Sequence, residues 1–290
     1  MLATRLIEAS APLIGRPAVI RGRRALDRFA AADGGLLAAG IAYNAAFAMV
    51  PLALLIAAIG GLILTDLDSQ RRFVEAILTL APPLRGVIDE LVKGVAAAST
   101  SLSIVGLVLA VWGTSRLFAS LESGFGLIFA GLGRRGFVSR TIRRIGSVLV
   151  LSTIVTGALL VIPILSVVGD VVRAAGPFEG SALTVVLLGL ALVLATLAVG
   201  SLYHALAPVG VPWRLAARPA FAVAIALLVI TRVFTLLAPR LFGANAVYGT
   251  LGTIFLGLAW LDLVFVAIRL GAAWVAETAA ESRTVAVDAG

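Results

Sequence analysis

Six ionisable side chains interrupt the long apolar stretches of this chain, and they are the residues most informative about its function. They are Arg116, Glu122, Arg232, Asp262, Arg269 and Glu277. A charge at the centre of a bilayer costs at least roughly 2.5–3.5 kcal/mol, so such groups normally face a protein interior and pair. An arginine also suits phosphate, because its planar guanidinium donates two parallel hydrogen bonds. Charge pairing and binding of an anionic group are therefore the two kinds of chemistry to weigh.

Arg116 lies near the middle of one apolar stretch, and the polar residues Tyr43 and Asn44 lie within another. We predict that these three residues line a polar cavity that binds an anionic head group. Asp262 lies at a similar depth in a third stretch, so we predict an Arg116–Asp262 contact and include Asp262 in the substrate site. Arg269 follows Asp262 by two helical turns on nearly the same face, as a further member of the intramembrane charge pairs. The alternative interpretation, that these charges only lock the helices together, stays open.

The stretches that position these residues are long enough to cross a membrane. The residues from Leu36 to Leu64 carry no charge, the chain is 61% hydrophobic and 13% charged, and its mean hydropathy is +1.10. A helix of about 20 apolar residues spans the hydrocarbon layer. The sequence therefore predicts an all-α, polytopic membrane helical bundle of six transmembrane helices. They are predicted at about 35–64, 101–130, 143–169, 181–203, 217–239 and 247–276.

Arginine placement predicts the domain organisation and the orientation. Residues 1–33 form a basic N-terminal segment, residues 34–277 the six-span domain, and residues 278–290 a C-terminal tail. Basic residues accumulate in the cytoplasmic connections of membrane proteins. Since the segments 1–33 and 131–144 are strongly basic, we predict cytoplasmic termini and a multi-pass protein of the bacterial inner membrane.

The long connection between the first two spans has a periodicity of its own. Over about 69–93 its apolar residues recur at spacings of three and four, and Pro82 and Pro83 interrupt them. This pattern predicts two short amphipathic helices on the extracytoplasmic side. They either pack over the bundle or lie on the outer leaflet, where they would sense or admit lipid.

The composition argues against enzymatic and nucleic-acid functions. The chain has no cysteine and one histidine, His204, so we predict no metal site, no cofactor and no catalytic residue. A membrane ribonuclease would need clustered histidine and carboxylate ligands, which the sequence does not supply. The net charge is +8, but the basic residues cluster beside the predicted spans, as expected for a membrane protein. We therefore expect no nucleic-acid partner.

Four stretches, in this order along the chain, resemble the YihY/BrkB family of bacterial inner-membrane proteins. They are Leu36–Phe47 followed by Pro51, Trp112-Gly113-Thr114-Ser115-Arg116 followed by Phe118, Leu202-Tyr203 with Val211-Pro212-Trp213-Arg214, and Tyr248-Gly249-Thr250-Leu251-Gly252 followed by Trp260. The sequence departs from the family pattern at Asp262, where Tyr is usual, and at Ala273, where Glu is usual. An older label of the family as ribonuclease BN is regarded as a misassignment.

The resemblance implies a multi-pass envelope protein, since some members are linked to serum resistance or to lipid and lipopolysaccharide export. We therefore expect a protein of envelope integrity that transports or handles a lipid-like or amphiphilic anion. The alternative is a non-transporting scaffold for envelope machinery. The expected partners are membrane lipids and other envelope proteins, and the sequence does not indicate an oligomeric state.

Overall fold

The computed structural model describes residues 17–63, 100–130, 132, 180–207, 211–242 and 249–288. Within these residues the chain forms six α-helices and no strand. The helices are α1 (Pro17–Ala31), α2 (Gly34–Ile63), α3 (Thr100–Ile128), α4 (Gly180–Leu206), α5 (Trp213–Phe242) and α6 (Gly249–Asp288). The predicted all-α class is therefore confirmed for the described part of the chain.

Three of these helices are long and apolar enough to cross a membrane. Their qualifying segments are Leu188–Leu206, Trp213–Leu237 and Ile254–Thr284, and Gly34–Met49 is a shorter apolar segment. Helices α2 to α6 occupy five of the six stretches that we predicted as spans. The predicted third span (143–169) and the predicted amphipathic pair (69–93) lie outside the described residues.

Helix α1 is an element that the sequence analysis did not predict within the basic N-terminal segment. Its apolar residues Ala25 and Phe29, with Ala32 in the turn that follows, join the core, and the helix packs on α6. The helix ends in a turn at Asp33, whose φ of 48° lies in the left-handed region that aspartate tolerates better than most residues. Helix α2 starts at the next residue, so this turn fixes how α1 returns onto the bundle.

Helices α2 and α3 pack closely because small residues lie between them. A Cβ on Gly113 would lie 3.1 Å from Ala48 Cα, and a Cβ on Gly124 would lie 3.0 Å from Ile41 Cδ1. The residue number rises along one helix as it falls along the other, so the two helices are antiparallel. Close backbone approach of this kind is how helices associate where lipid replaces water.

Helix α6 is the central element of the described bundle, since it packs against α1, α2, α3 and α5. Tyr203 of α4 also reaches it, and the buried Tyr203 hydroxyl donates a hydrogen bond of 2.8 Å to the Ile268 carbonyl. Helix α6 continues to Asp288, twelve residues past the predicted end of the sixth span at 276. This extension is the surface on which α1 packs.

Candidate functional site

Arg116 lies on an exposed face formed by α2 and α3, next to aromatic side chains. Its Cζ lies 5.4 Å from the centroid of the Trp112 ring, one helical turn earlier in α3. Trp112 in turn meets Phe47 of α2 edge to face, with the ring centroids 5.3 Å apart. Both aromatic residues are more than 40% exposed. We call Arg116, Trp112 and Phe47 the Arg116 cluster.

Tyr43 and Asn44, the two α2 residues that we predicted to line a cavity with Arg116, differ in exposure. Tyr43 is 64% exposed and lies one turn from Phe47, so the two aromatic side chains share a face of α2. Asn44 is half-buried, and its side-chain amide donates a hydrogen bond of 2.9 Å to the Gly40 carbonyl of its own helix. Tyr43 is thus available on the exposed face, whereas one end of the Asn44 amide is engaged with the helix backbone.

The structure does not join Arg116 and Asp262, which we predicted to be in contact, as an ion pair. In the described part of the chain no ion pair joins Asp262 to Arg116 or to Arg269. Asp262 Oδ1 is enclosed and has no hydrogen-bond partner among these residues. The prediction matched the two residues by depth along their helices, but depth does not fix the direction in which a side chain leaves the helix axis. Arg116 points outward over Trp112 instead.

Main-chain carbonyls accept the hydrogen bonds that the structure describes for Arg269. Its side chain is fully buried, and its two Nη atoms donate to the carbonyls of Ala32, Asp33, Gly34 and Gly124 at 2.6 to 3.4 Å. Its guanidinium also lies 6.0 Å from the centroid of the Phe29 ring. Arg269 therefore joins α6 to the α1–α2 turn and to α3.

Two further arginines bind carbonyls at the end of α3 and just past it. Arg28 Nη1 donates to the Ile128 carbonyl at 3.2 Å, and Arg283 Nη1 donates to the Leu132 carbonyl at 2.5 Å. With Gly124, these acceptors are spaced by four residues. The last carbonyls of a helix have no partner within the helix, so cations are favourable there. We call Arg28, Arg269 and Arg283 the carbonyl-binding arginines.

Ion pairs hold α1 against the extension of α6. Arg28 Nε lies 2.5 Å from Glu277 Oε1, and Arg24 Nη1 lies 3.5 Å from Glu281 Oε1. The first pair is mostly buried and the second is exposed. A step of four residues forward in α1 matches a step of four residues back in α6, so the two helices are antiparallel. These pairs were not predicted from the sequence, although the matching four-residue spacing of Arg24 and Arg28 with Glu277 and Glu281 was a signal for them.

We expect reversal of the buried pair to weaken this end of the bundle. Arg28→Glu would place like charges together and remove the donor to Ile128, at a cost of about 1–3 kcal/mol in the free energy of unfolding. Adding Glu277→Arg should restore part of the loss, because the attraction returns while the bond to Ile128 does not. Thermal unfolding followed by tryptophan fluorescence measures both effects.

The matched control for this prediction is the exposed pair. Reversing Arg24 and Glu281 in the same way should change the melting temperature little, because exposed ion pairs contribute about 0–1 kcal/mol. Equal losses from both reversals, or a double variant no better than Arg28→Glu alone, would contradict a specific Arg28–Glu277 contribution.

In the described part of the chain, no group of three or more histidine, cysteine, aspartate or glutamate side chains that could hold a metal comes together. His204 Nδ1 lies 2.9 Å from the Val211 carbonyl, which ties the end of α4 to the residues before α5.

The apolar helices, packed through small residues around α6, define the class as a helical membrane protein. The family model described as "Virulence factor BrkB" matches residues 25–289. Because this match covers most of the chain, the protein belongs to the BrkB virulence factor family, and the predicted resemblance is confirmed. No curated protein and no solved structure matches the chain.

Proposed function

We propose that this membrane protein transports or handles a lipid-like or amphiphilic anion, and that it thereby maintains the cell envelope. The Arg116 cluster supports this proposal. Its exposed cation lies on an apolar helix over the Trp112 ring, and that ring contacts Phe47. Among the described residues no carboxylate forms an ion pair with Arg116.

The arrangement of the cluster suits an amphiphile because it combines two kinds of surface. The guanidinium can bind two phosphate oxygens at once, and contact with Trp112 limits its motion. Phe47 and Tyr43 extend the aromatic surface along α2, where the apolar part of the same ligand would pack. We assign Asp262 no role at this surface, because no contact joins its carboxylate to Arg116.

The experiment that tests the proposal is phospholipid movement in reconstituted vesicles. A fluorescent phosphatidylglycerol is placed in both leaflets, and the fraction that an external reductant bleaches reports exchange between them. We expect Arg116→Gln to slow exchange by about tenfold or more, since a charge-assisted hydrogen bond contributes about 1.5–3 kcal/mol. Arg116→Lys should retain part of the rate, because its ammonium keeps the charge without the planar fork.

Arg232→Gln is the matched control, because Arg232 is also an exposed arginine on an apolar helix. It should leave the exchange rate unchanged. Native exchange by Arg116→Gln, or an equal loss from Arg232→Gln, would reject the Arg116 site.

The scaffold alternative also has an observation in its favour. Helix α1 presents Ile20, Arg23 and Leu26 on the side away from α6, and all three are exposed. A scaffold that docks a partner there would keep envelope function in Arg116→Gln and lose it when this face is changed. Envelope function measured in both variants separates the two proposals.

We further propose an inner-membrane location with both termini in the cytoplasm. The Arg24–Glu281 pair supports placing the two ends together, because it joins the first described helix to the end of the last one. The excess of arginine in the N-terminal segment supports the cytoplasmic side. We also propose that the chain is not an enzyme and needs no cofactor, on the composition described above.

A further inference from the structure

One exposed stripe runs almost the full length of α5. It starts with Arg214 and Arg218, continues with Phe221, Ile225 and Val229, and ends near Leu236, at spacings of three, four or seven residues. Residues with these spacings lie on one face of a helix. Every one of these side chains is exposed, so the stripe faces away from the described bundle.

The length of the stripe matches a bilayer. Arg232 lies on the same face near its far end, and at 1.5 Å per residue about 27 Å of helix axis separates it from Arg214. The hydrocarbon layer is about 30 Å thick. Arginine side chains reach towards the head groups from positions inside the layer. The stripe therefore places its two ends near opposite head-group regions and its apolar middle against acyl chains.

The two ends of the stripe differ in the number of positive charges, with two arginines at the first end and one near the other. Arg214 and Arg218 lie one turn apart, and like charges at this spacing repel each other. The first turn of α5 contains no acidic residue. In the part of the chain that the structure describes, neither guanidinium has a carboxylate or other hydrogen-bond partner. An anion from outside the described fold would therefore neutralise the adjacent charges of Arg214 and Arg218.

We propose that Arg214 and Arg218 together bind the phosphate of an anionic phospholipid, whose acyl chain lies along Phe221, Ile225 and Val229. Two adjacent guanidinium groups complement a phosphodiester, and the apolar side chains continue from them in the direction that an acyl chain takes. This site lies on α5 and does not depend on the function proposed for Arg116.

The experiment is native mass spectrometry of the purified full chain in a neutral detergent, titrated with dioleoyl phosphatidylglycerol. All variants carry Arg116→Gln, so that the Arg116 cluster does not contribute. Adding Arg214→Gln and Arg218→Gln should raise the Kd of the first bound lipid by about 30-fold, since each arginine contributes about 1 kcal/mol to contact with anionic lipid. Arg214→Lys with Arg218→Lys should keep most of the affinity.

Arg232→Gln is the control on the same stripe, and we expect it to leave the Kd unchanged. Dioleoyl phosphatidylcholine should bind to the Arg116→Gln chain about 30-fold more weakly than phosphatidylglycerol, because its head group has no net charge. The proposal is overturned if the two lipids bind equally. It is also overturned if the double glutamine variant retains native affinity, or if Arg232→Gln loses as much. Equal melting temperatures of the variants will show that the fold is intact.

Discussion

Arg269→Gln should lower the melting temperature of the protein by about 10 °C, one of the two largest effects that we expect. The native guanidinium joins the α1–α2 turn, α3 and α6 through carbonyls that are otherwise enclosed. A shorter neutral amide cannot reach all of them, and buried acceptors without donors each cost about 1–3 kcal/mol. We expect a total of about 3–5 kcal/mol, which corresponds to a shift of this size for a chain of this length.

The measurement is thermal unfolding in detergent, followed by the intrinsic fluorescence of the four tryptophans. Arg269→Lys should lose nearly as much, because an ammonium cannot present donors in the planar arrangement that these carbonyls require. Arg283→Gln is the matched control, since Arg283 is exposed and has one carbonyl partner. A melting temperature of Arg269→Gln within 2 °C of the native value would show that the carbonyl contacts contribute little.

Gly271→Val should destabilise the protein about as much as Arg269→Gln, because a larger side chain does not fit at this position. A Cβ at this position would overlap Tyr203 Oη of α4 and lie 2.5 Å from Val223 Cγ2 of α5. Either the helices separate or Tyr203 moves and loses its hydrogen bond to the Ile268 carbonyl. Overpacking costs about 1–3 kcal/mol and the lost buried hydrogen bond a similar amount.

For Gly271→Val we expect a marked loss of monodisperse protein on size-exclusion chromatography. The monodisperse fraction that remains should have a lower melting temperature than the native protein. Gly189→Val is the control, because nothing lies within 4 Å of a Cβ built on Gly189 in α4. Gly271→Ala with Tyr203→Phe should recover part of the loss seen with Gly271→Ala alone, since removing the hydroxyl opens space. Native behaviour of Gly271→Val would mean that α4, α5 and α6 do not meet at this point.

Much of the helical architecture could be predicted from the apolar runs. Helices α2 to α6 occupy predicted stretches because a long uncharged run has few structural alternatives in lipid. Helix α1 was not predicted because the segment is rich in arginine, although Ala25, Phe29 and Ala32 have the spacing of a helix face. The extension of α6 past 276 was missed for a related reason: its charged residues suggested a tail, whereas they pair with α1.

The candidate site was predicted less well than the helices. The sequence identified Arg116 and Tyr43, which share the exposed surface of α2 and α3, but it did not identify Trp112 and Phe47 as their neighbours. The hydrogen-bond acceptors of Arg269 could not be predicted from side chains, because each one that the structure describes is a main-chain oxygen. Rotation about a helix axis and backbone acceptors both depend on tertiary packing, and a single sequence gives little information about either.

The carbonyl-binding arginines have a consequence for how this end of the molecule tolerates mutation. Any amino acid supplies a main-chain oxygen, so exchanging Ile128 or Leu132 for another helix-compatible residue removes no acceptor. The donors have no such freedom, because no other side chain carries a guanidinium. In random mutagenesis with selection for folded protein, many residue types should therefore be tolerated at the positions that supply the acceptor carbonyls. Few should be tolerated at the three arginine positions that supply the donors.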